Sequence, residues 1–591
     1  MEKTRKQHNF LHGALILVIA TALVKVIGAI FRIPLGKLLG GEGMGYYSSA
    51  YDLYAPIYTI AMAGLPIAIS KLVAEAVAQN RFKDAKSLLR VAQRTFFITG
   101  LAGFMLISLI AYPFAVYINK NFGALYSVLV IAPSMLFCCI MACYRGYYEG
   151  LKNMYPTAIS QVIEALCKLI FGFGFAYVIM QIGMSQYNDS GAVFGQVITA
   201  TGEEGIKAAQ GVILPFASAG AIGGVTLGTI IGAIYLLISH KSKGDGITAA
   251  EIEASPEPYA DRENFKTLMK FALPVVLGAL AQNLASIIDL ITVQGQLNNA
   301  MGISAQTVIQ SHGSALLNVE ADKIPTFLYG CYKGFAYSFY NLVPTVTSVI
   351  GISVLPNLAA AWYEKNKQAV KFNIESVLRM TTLIAAPMGL GIAVLSNPIL
   401  TIFFSDRPDE VIVSADLLFW LAIAGIFAGI AMPITSMLQA IGKQKVPVVN
   451  ILIGLGAKII LNAALVVIPE INILGAAIST VVCYVLIVVL NIISLAKHSG
   501  VMPNLWTTLG KPFTSAILCA ISAFAVYGLA SNWLGAGRMG MILSTGISVV
   551  VAVIVFCVVL FCLKTITKDD VKLLPKGEKI AKVLEKFKVL G

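Results

Sequence analysis

Charge is what this sequence has least of. Asp, Glu, Lys and Arg make up only 12% of the chain, against roughly 25% in ordinary soluble domains, and that shortage excludes a water-soluble fold. Histidine is scarce as well, five residues with no accompanying ligand set, so no metal centre is read. No outside loop carries paired carboxylates or a His/Arg cluster suited to acid–base work, which argues against an enzyme, gives no catalytic residue and calls for no cofactor. No basic patch is interleaved with exposed aromatics, so the net charge of +13 does not point to nucleic acid. The nine cysteines (138, 139, 143, 167, 331, 483, 519, 557 and 562) fall within or at the edge of apolar runs. They read as small buried hydrophobes, not as disulfides.

What the chain has in abundance is apolar length. Of its 591 residues 57% are hydrophobic, in runs of about 20 residues, each able to cross a hydrocarbon layer of roughly 30 Å as a helix. The runs predict fourteen transmembrane helices, near 12–37, 47–69, 92–115, 124–147, 156–180, 211–239, 268–292, 328–358, 378–403, 412–440, 447–468, 473–496, 512–530 and 541–563. The first is read as an uncleaved helix, because it continues through Lys25 and Arg32 without a small-residue cleavage site. Alternate loops hold most of the Lys and Arg residues, Arg145 counted among them. The opposite loops hold Lys120, Lys207, Lys323, Arg407 and Arg538. That asymmetry places both termini in the cytoplasm of a multi-pass plasma-membrane protein.

An internal repeat runs through these helices. Leu65-Pro66 and Ser87 to Arg90 are echoed by Leu355-Pro356 and Ser376 to Arg379; Gly150, Pro156 and Lys168 are echoed by Gly442, Pro447 and Lys458, each pair about 290 residues apart. The repeating unit is six helices, an even number, so the two halves share one orientation and are related by an axis along the membrane normal. The expected organisation is a six-helix lobe at 1–240, a polar cytoplasmic linker at 241–265, a second six-helix lobe at 266–497, two further helices within 498–565, and a basic amphipathic tail at 566–591 suited to the anionic inner leaflet. Two small-residue and amide-rich insertions, 182–210 and 293–325, are expected outside.

Ionisable side chains inside membrane helices are costly and usually face a bundle interior or an aqueous cavity. Lys25 and Arg32 stand seven residues apart on one face of the first helix, roughly 10 Å along its axis; snorkelling to the surface is the structural alternative. Gln161, Glu164 and Lys168 form a stripe on the fifth helix, where Glu164 and Lys168 have the spacing to neutralise one another. Asn450, Lys458 and Asn462 form a stripe on the eleventh, and Gln282, Ser286 and Asp289 one on the seventh. Asp52 lies beside Ser48 and Ser49, and Lys333 opens the eighth helix. A cavity lined by more cations than anions suits an anionic substrate, phosphate or pyrophosphate above all.

Several stretches carry a family resemblance. Lys25-Val26-Ile27-Gly28 through Arg32-Ile33-Pro34-Leu35-Gly36, Ala63-Gly64-Leu65-Pro66, Tyr144-Arg145-Gly146-Tyr147-Tyr148-Glu149-Gly150 and Asn341-Leu342-Val343-Pro344 through Leu355-Pro356 resemble the multidrug/oligosaccharidyl-lipid/polysaccharide flippase superfamily. Within it they resemble the polysaccharide-biosynthesis branch that contains the stage V sporulation protein B and MurJ-like lipid II flippases. The resemblance implies an all-α fold of two six-helix repeats plus two C-terminal helices, MATE-like and MurJ-like, working as a monomer by alternating access. It implies that Arg32, Lys25, Lys333 and Asp52 contact a lipid-linked anionic glycan, with Glu164, Lys168, Asp289 and Lys458 lining the cavity or coupling a monovalent cation. The leading expectation is a lipid II flippase serving peptidoglycan or spore cortex. Rivals are a flippase for another lipid-linked glycan, a cation-coupled drug antiporter and a membrane-embedded glycosyltransferase.

Overall fold

The computed structural model describes residues 2–62, 64–317, 319–535 and 537–565; the expected amphipathic tail lies outside the described residues. The chain divides into two compact units, Met1–Gly295 with Asp322–Gly330, and Gln296–Ala321 with the chain from Cys331 on. Eleven helices among the described residues are long and apolar enough to cross a membrane.

The first unit contains α1 (Glu2–Met62), α2 (Leu65–Ala78), α3 (Phe82–Pro113), α4 (Ala124–Ile131), α5 (Ser134–Gly150), α6 (Tyr155–Cys167), α7 (Phe173–Ser190), α8 (Gly202–Lys243), α9 (Ala249–Glu253) and the part to Gly295 of α10 (Asp261–Ser311). The expected first and second crossings form one element, α1, broken at Gly40 (φ 62°, ψ −170°). Left-handed φ is open to glycine at no steric cost, so the chain changes direction there. Pro66 and Pro156 each sit in the first turn of their helices, α2 and α6, where the missing N–H has no acceptor to lose. α3 packs on α5, and α5, α6 and α7 pack on α8. At the α5–α8 contact Met141, Tyr144 and Tyr148 are buried with Ala233 and Leu236.

The first unit also takes α11 (Ile324–Gly330), and the second unit holds the rest of α10 from Gln296, then α12 (Tyr337–Tyr340), α13 (Leu342–Tyr363), α14 (Lys367–Val394), α15 (Ser396–Phe403), α16 (Pro408–Ala440), α17 (Lys445–Leu465), α18 (Ile473–Ser499), α19 (Lys511–Leu534) and α20 (Arg538–Cys562). The order of contacts echoes the first unit: α14 packs on α16, and α16 and α17 pack on α18. α19 and α20 pair, and α19 rests on α14.

Two regions take definite structure. The 293–325 insertion is largely helical, since α10 continues to Ser311 with a break at Ser304, and its glutamines lose little rotamer freedom in a helix. The 241–265 linker is held against other parts of the first unit. Its Glu257 lies 2.9 Å from Lys83 Nζ at the start of α3, and its Tyr259 backbone N–H donates to Asp84 of α3 at 2.6 Å, Asp84 itself pairing with Arg81. At its near end Tyr147 donates to Asp245 (2.8 Å) and Tyr148 to the Gly244 carbonyl (3.0 Å).

Candidate functional site

Helices α1, α5, α6 and α8 of the first unit converge on a cavity of about 360 Å³, with Val225 on the α8 wall. α1 brings Lys25, Phe31, Tyr51 and Tyr58, α6 brings Gln161 and Glu164, and α5 brings Arg145; Lys168 follows directly on α6. The spacing of Tyr47, Tyr51, Tyr54 and Tyr58 along α1 stacks their rings into a ladder, with neighbouring centroids 5.0–6.3 Å apart. Such tilted and edge-on pairs suit the ring quadrupoles.

Lys168 opens a π-helical turn, Lys168–Gly172, a distortion that helices often carry at functional sites. Its ammonium donates to the Tyr51 hydroxyl at 3.0 Å and lies over the rings of Tyr51 (4.9 Å) and Phe31 (5.2 Å). Cation–π contact holds the charge in place while leaving it a net cation. The i, i+4 pairing expected between Glu164 and Lys168 does not form. Glu164 instead takes Arg145, with Nη2 3.0 Å from Oε2, because the guanidinium fork of α5 reaches the carboxylate while Lys168 turns to the tyrosines. Arg145 Nε also donates to Ser160 Oγ at 2.9 Å, and Thr21 Oγ1 donates to Gln161 at 3.4 Å.

Arg145 is the residue sequence reasoning missed. It was counted with the cytoplasmic loops, yet it is only 8% exposed. Its inclusion in the apolar run 124–147 was the available signal. Among the expected residues, Lys25, Glu164 and Lys168 line the cavity together, and Arg32, half-buried on α1, lies within electrostatic reach of Tyr47 and Tyr51. Asp52 accepts a 2.5 Å hydrogen bond from the Tyr329 hydroxyl. Asp289 is buried on α10, away from the lining of this cavity.

Lys333 and Lys458 belong to the second unit. Lys333 is buried in a π-helical turn, Cys331–Ala336, with its ammonium 4.4 Å from the Tyr337 ring centroid. Lys458 is buried on α17 between Asn450, which donates to Asn491 at 2.8 Å, and Asn462, which accepts from Ser479.

Within the first unit α11 packs tightly on α1. Backbones touch there: a Cβ on Gly330 would stand 1.8 Å from the Gly41 carbonyl oxygen, and one on Gly45 2.1 Å from that of Thr326. Small residues permit this close approach between membrane helices. Around the contact Tyr329 meets Asp52, Asn121 donates to Thr326 (3.3 Å), and Lys323 lies 3.8 Å from Glu42. The chain then leaves the first unit at Gly330 and enters the second through the Cys331–Ala336 turn.

Known proteins resemble both halves. The family of polysaccharide biosynthesis proteins matches residues 10–201, and the lipid II flippase MurJ family matches residues 341–566. The chain is 23% identical to the lipid II flippase MurJ of Bacillus subtilis (strain 168), covering 83% of each. It is also 23% identical to stage V sporulation protein B of the same organism, covering 96% of this chain and 98% of that one. In fold it is similar to an inward closed conformation of lipid II flippase MurJ (TM-score 0.61, 15% identity, 93% of this chain and 99% of that one). A multidrug resistance MATE family transporter in an inward-facing conformation is similar too (TM-score 0.58, 14% identity, 83% of this chain and 99% of that one).

Proposed function

We propose, from its similarity to the MurJ-like side of the multidrug/oligosaccharidyl-lipid/polysaccharide flippase superfamily, that the chain flips lipid II, a polyprenyl-diphosphate-linked peptidoglycan precursor, from the inner to the outer leaflet. The observation that carries the reading is the cavity itself. Lys25, Lys168 and Arg145 face one carboxylate, Glu164, so the chamber keeps a net positive charge in surroundings of low dielectric, where a diphosphate is drawn strongly. A hydrophobic cationic drug would be repelled by the same field.

Fourteen crossings follow from this reading. A 61-residue helix is about 90 Å long if straight, three times the hydrocarbon thickness, so α1 crosses twice by turning at Gly40. α10 and the α11–α13 segment add the two crossings that are not among the eleven clearly apolar helices. The matching contact orders of α3, α5, α8 and α14, α16, α18 support lobes at 1–240 and 266–497, with α19 and α20 appended and both termini cytoplasmic. In this scheme α11 is the outer seal, the Cys331–Ala336 turn its hinge, and the monomer works by alternating access, with Lys333, Asp52, Asp289 and Lys458 meeting the substrate or a coupling cation at later stages of the cycle.

The test is a flipping assay with the purified protein in vesicles, comparing lipid II with a polyprenyl-diphosphate carrying a different glycan. Faster transfer of lipid II supports the assignment. Equal transfer of both leaves a general lipid-linked glycan flippase, and drug-driven proton or sodium exchange without lipid transfer overturns it.

A further inference from the structure

The first unit carries a second groove, about 520 Å³, between α3 and the beginning of α10, and none of its lining residues is shared with the cationic cavity. Its walls are apolar, with Ile98 on α3 and Phe265, Met269 and Leu273 on α10. Its deep end is capped by Leu65, because Gly64 lets the start of α2 press on α10: a Cβ there would sit 2.4 Å from the Ala272 carbonyl oxygen. The groove is therefore blocked at one end while open along its side. From Arg262 to Val276 it follows about 21 Å of helix.

Its other end is basic. Arg94 and Arg262 line it. Arg90 and Lys266, one turn away on their helices and both exposed, continue the two stripes. Against these cations stand Asp261, whose Oδ2 lies 3.3 Å from Arg94 Nη1, and Glu263. Arg94 remains 68% exposed by side chain, so it can hold a second partner facing water. A slot that is apolar along its length, closed at one end and cationic at the other has the polarity of an anionic amphiphile, and basic clefts between membrane helices are suited to acidic head groups.

We propose that this groove binds one anionic membrane phospholipid, its phosphate on Arg94 and Arg262 and one acyl chain between Ile98 and Leu273. The orientation argued above puts the basic end at the inner leaflet, whose phospholipids are the source; the polyprenyl precursor is not the occupant. The bound lipid fastens α3 to α10 and to the linker that joins the lobes, so acidic lipid content tunes the lobe that holds the cationic cavity.

The full-length protein, delipidated in a nonionic detergent, is titrated with phosphatidylglycerol and with phosphatidylcholine and read by native mass spectrometry. Wild type should retain phosphatidylglycerol with at least about tenfold preference. Arg94→Gln/Arg262→Gln should fall to the phosphatidylcholine level, and Leu273→Trp, which fills the slot at an exposed position, should weaken both lipids. Lys168→Gln should leave phosphatidylglycerol retention unchanged while impairing flipping. Glycerol phosphate should compete poorly, since it lacks the chain. Equal retention of the two phospholipids, full retention by the double arginine variant, or displacement of phosphatidylglycerol by lipid II at equal concentration would each overturn the proposal. The readout is lipid retention and not transport, so failure of the groove is told apart from failure of the flippase reading.

Discussion

Adding one methyl group at Gly330 tests whether α11 is the outer seal. An alanine Cβ there would lie 1.8 Å from the Gly41 carbonyl oxygen and 2.6 Å from the Gly45 nitrogen. Both are backbone atoms, so no side chain can swing aside and the helices must separate. Overpacking of this kind costs about 1–3 kcal/mol, and the upper end applies because the obstacle is rigid. Alanine's better helix propensity returns up to about 1 kcal/mol. The net of about 2 kcal/mol moves the sealed-to-open ratio roughly 30-fold toward open. Gly28→Ala is the matched control, since nothing lies within 4 Å of a Cβ there. Thr326→Cys reports the opening: Thr326 is 1% exposed and sits in the contact. In intact cells an impermeant thiol reagent, followed by peptide mass spectrometry, should label Cys at 326 much faster with Gly330→Ala than without it, and no faster with Gly28→Ala. Unchanged labelling with Gly330→Ala, or equal acceleration by both alanines, would refute the seal.

Arg145→Gln removes the partner of Glu164 and should lower stability by about 1–3 kcal/mol, read as a drop in the melting temperature of the purified protein, while Arg145→Met/Glu164→Met should recover stability without flipping. Tyr51→Phe deletes the acceptor of Lys168 but keeps the ring, so it should cost about 1 kcal/mol and slow flipping mildly; Lys168→Gln should abolish it, and equal effects would argue that the hydroxyl, not the charge, matters. Arg32→Ala should lose about 2–5 kcal/mol of headgroup contact and fail to rescue a flippase-depleted strain at normal abundance, whereas a snorkelling role predicts that Arg32→Lys is harmless and Arg32→Ala nearly so. His312 lies outside the membrane spans, its Nε2 2.8 Å from Asn472 Oδ1, and burial pulls its pKa below the ordinary imidazole value. The unfolded chain therefore binds the extra proton first, and stability should fall as pH drops below about 6.5; His312→Gln should flatten that acid limb in thermal melts from pH 5 to 8.

The parts of the site legible in the sequence are those where cost exposes function. Lys25 and Lys168 interrupt apolar runs, and a cation within a membrane helix needs a reason wherever it stands. Their shared cavity could not be read, because it depends on how α1 bends at Gly40 and brings its tyrosines opposite α6. The i, i+4 rule spoke for Glu164 with Lys168, but it describes an isolated helix. In the folded unit a planar fork from another helix competes for the same carboxylate and wins by making further bonds to Ser160 and Met141.

The Tyr144–Gly150 stretch shows the same limit from the other side. As sequence it is a signature without a mechanism; in the fold nearly every position has a separate duty. Arg145 serves the cavity. Gly146 and Gly150 bring α5 against α2, where a Cβ would meet the Pro66 and Ser70 carbonyl oxygens, both at 2.7 Å. Tyr147 and Tyr148 grip the linker at Asp245 and Gly244. This short stretch of α5 thus lines the cationic cavity through Arg145 and holds the 244–245 segment through Tyr147 and Tyr148.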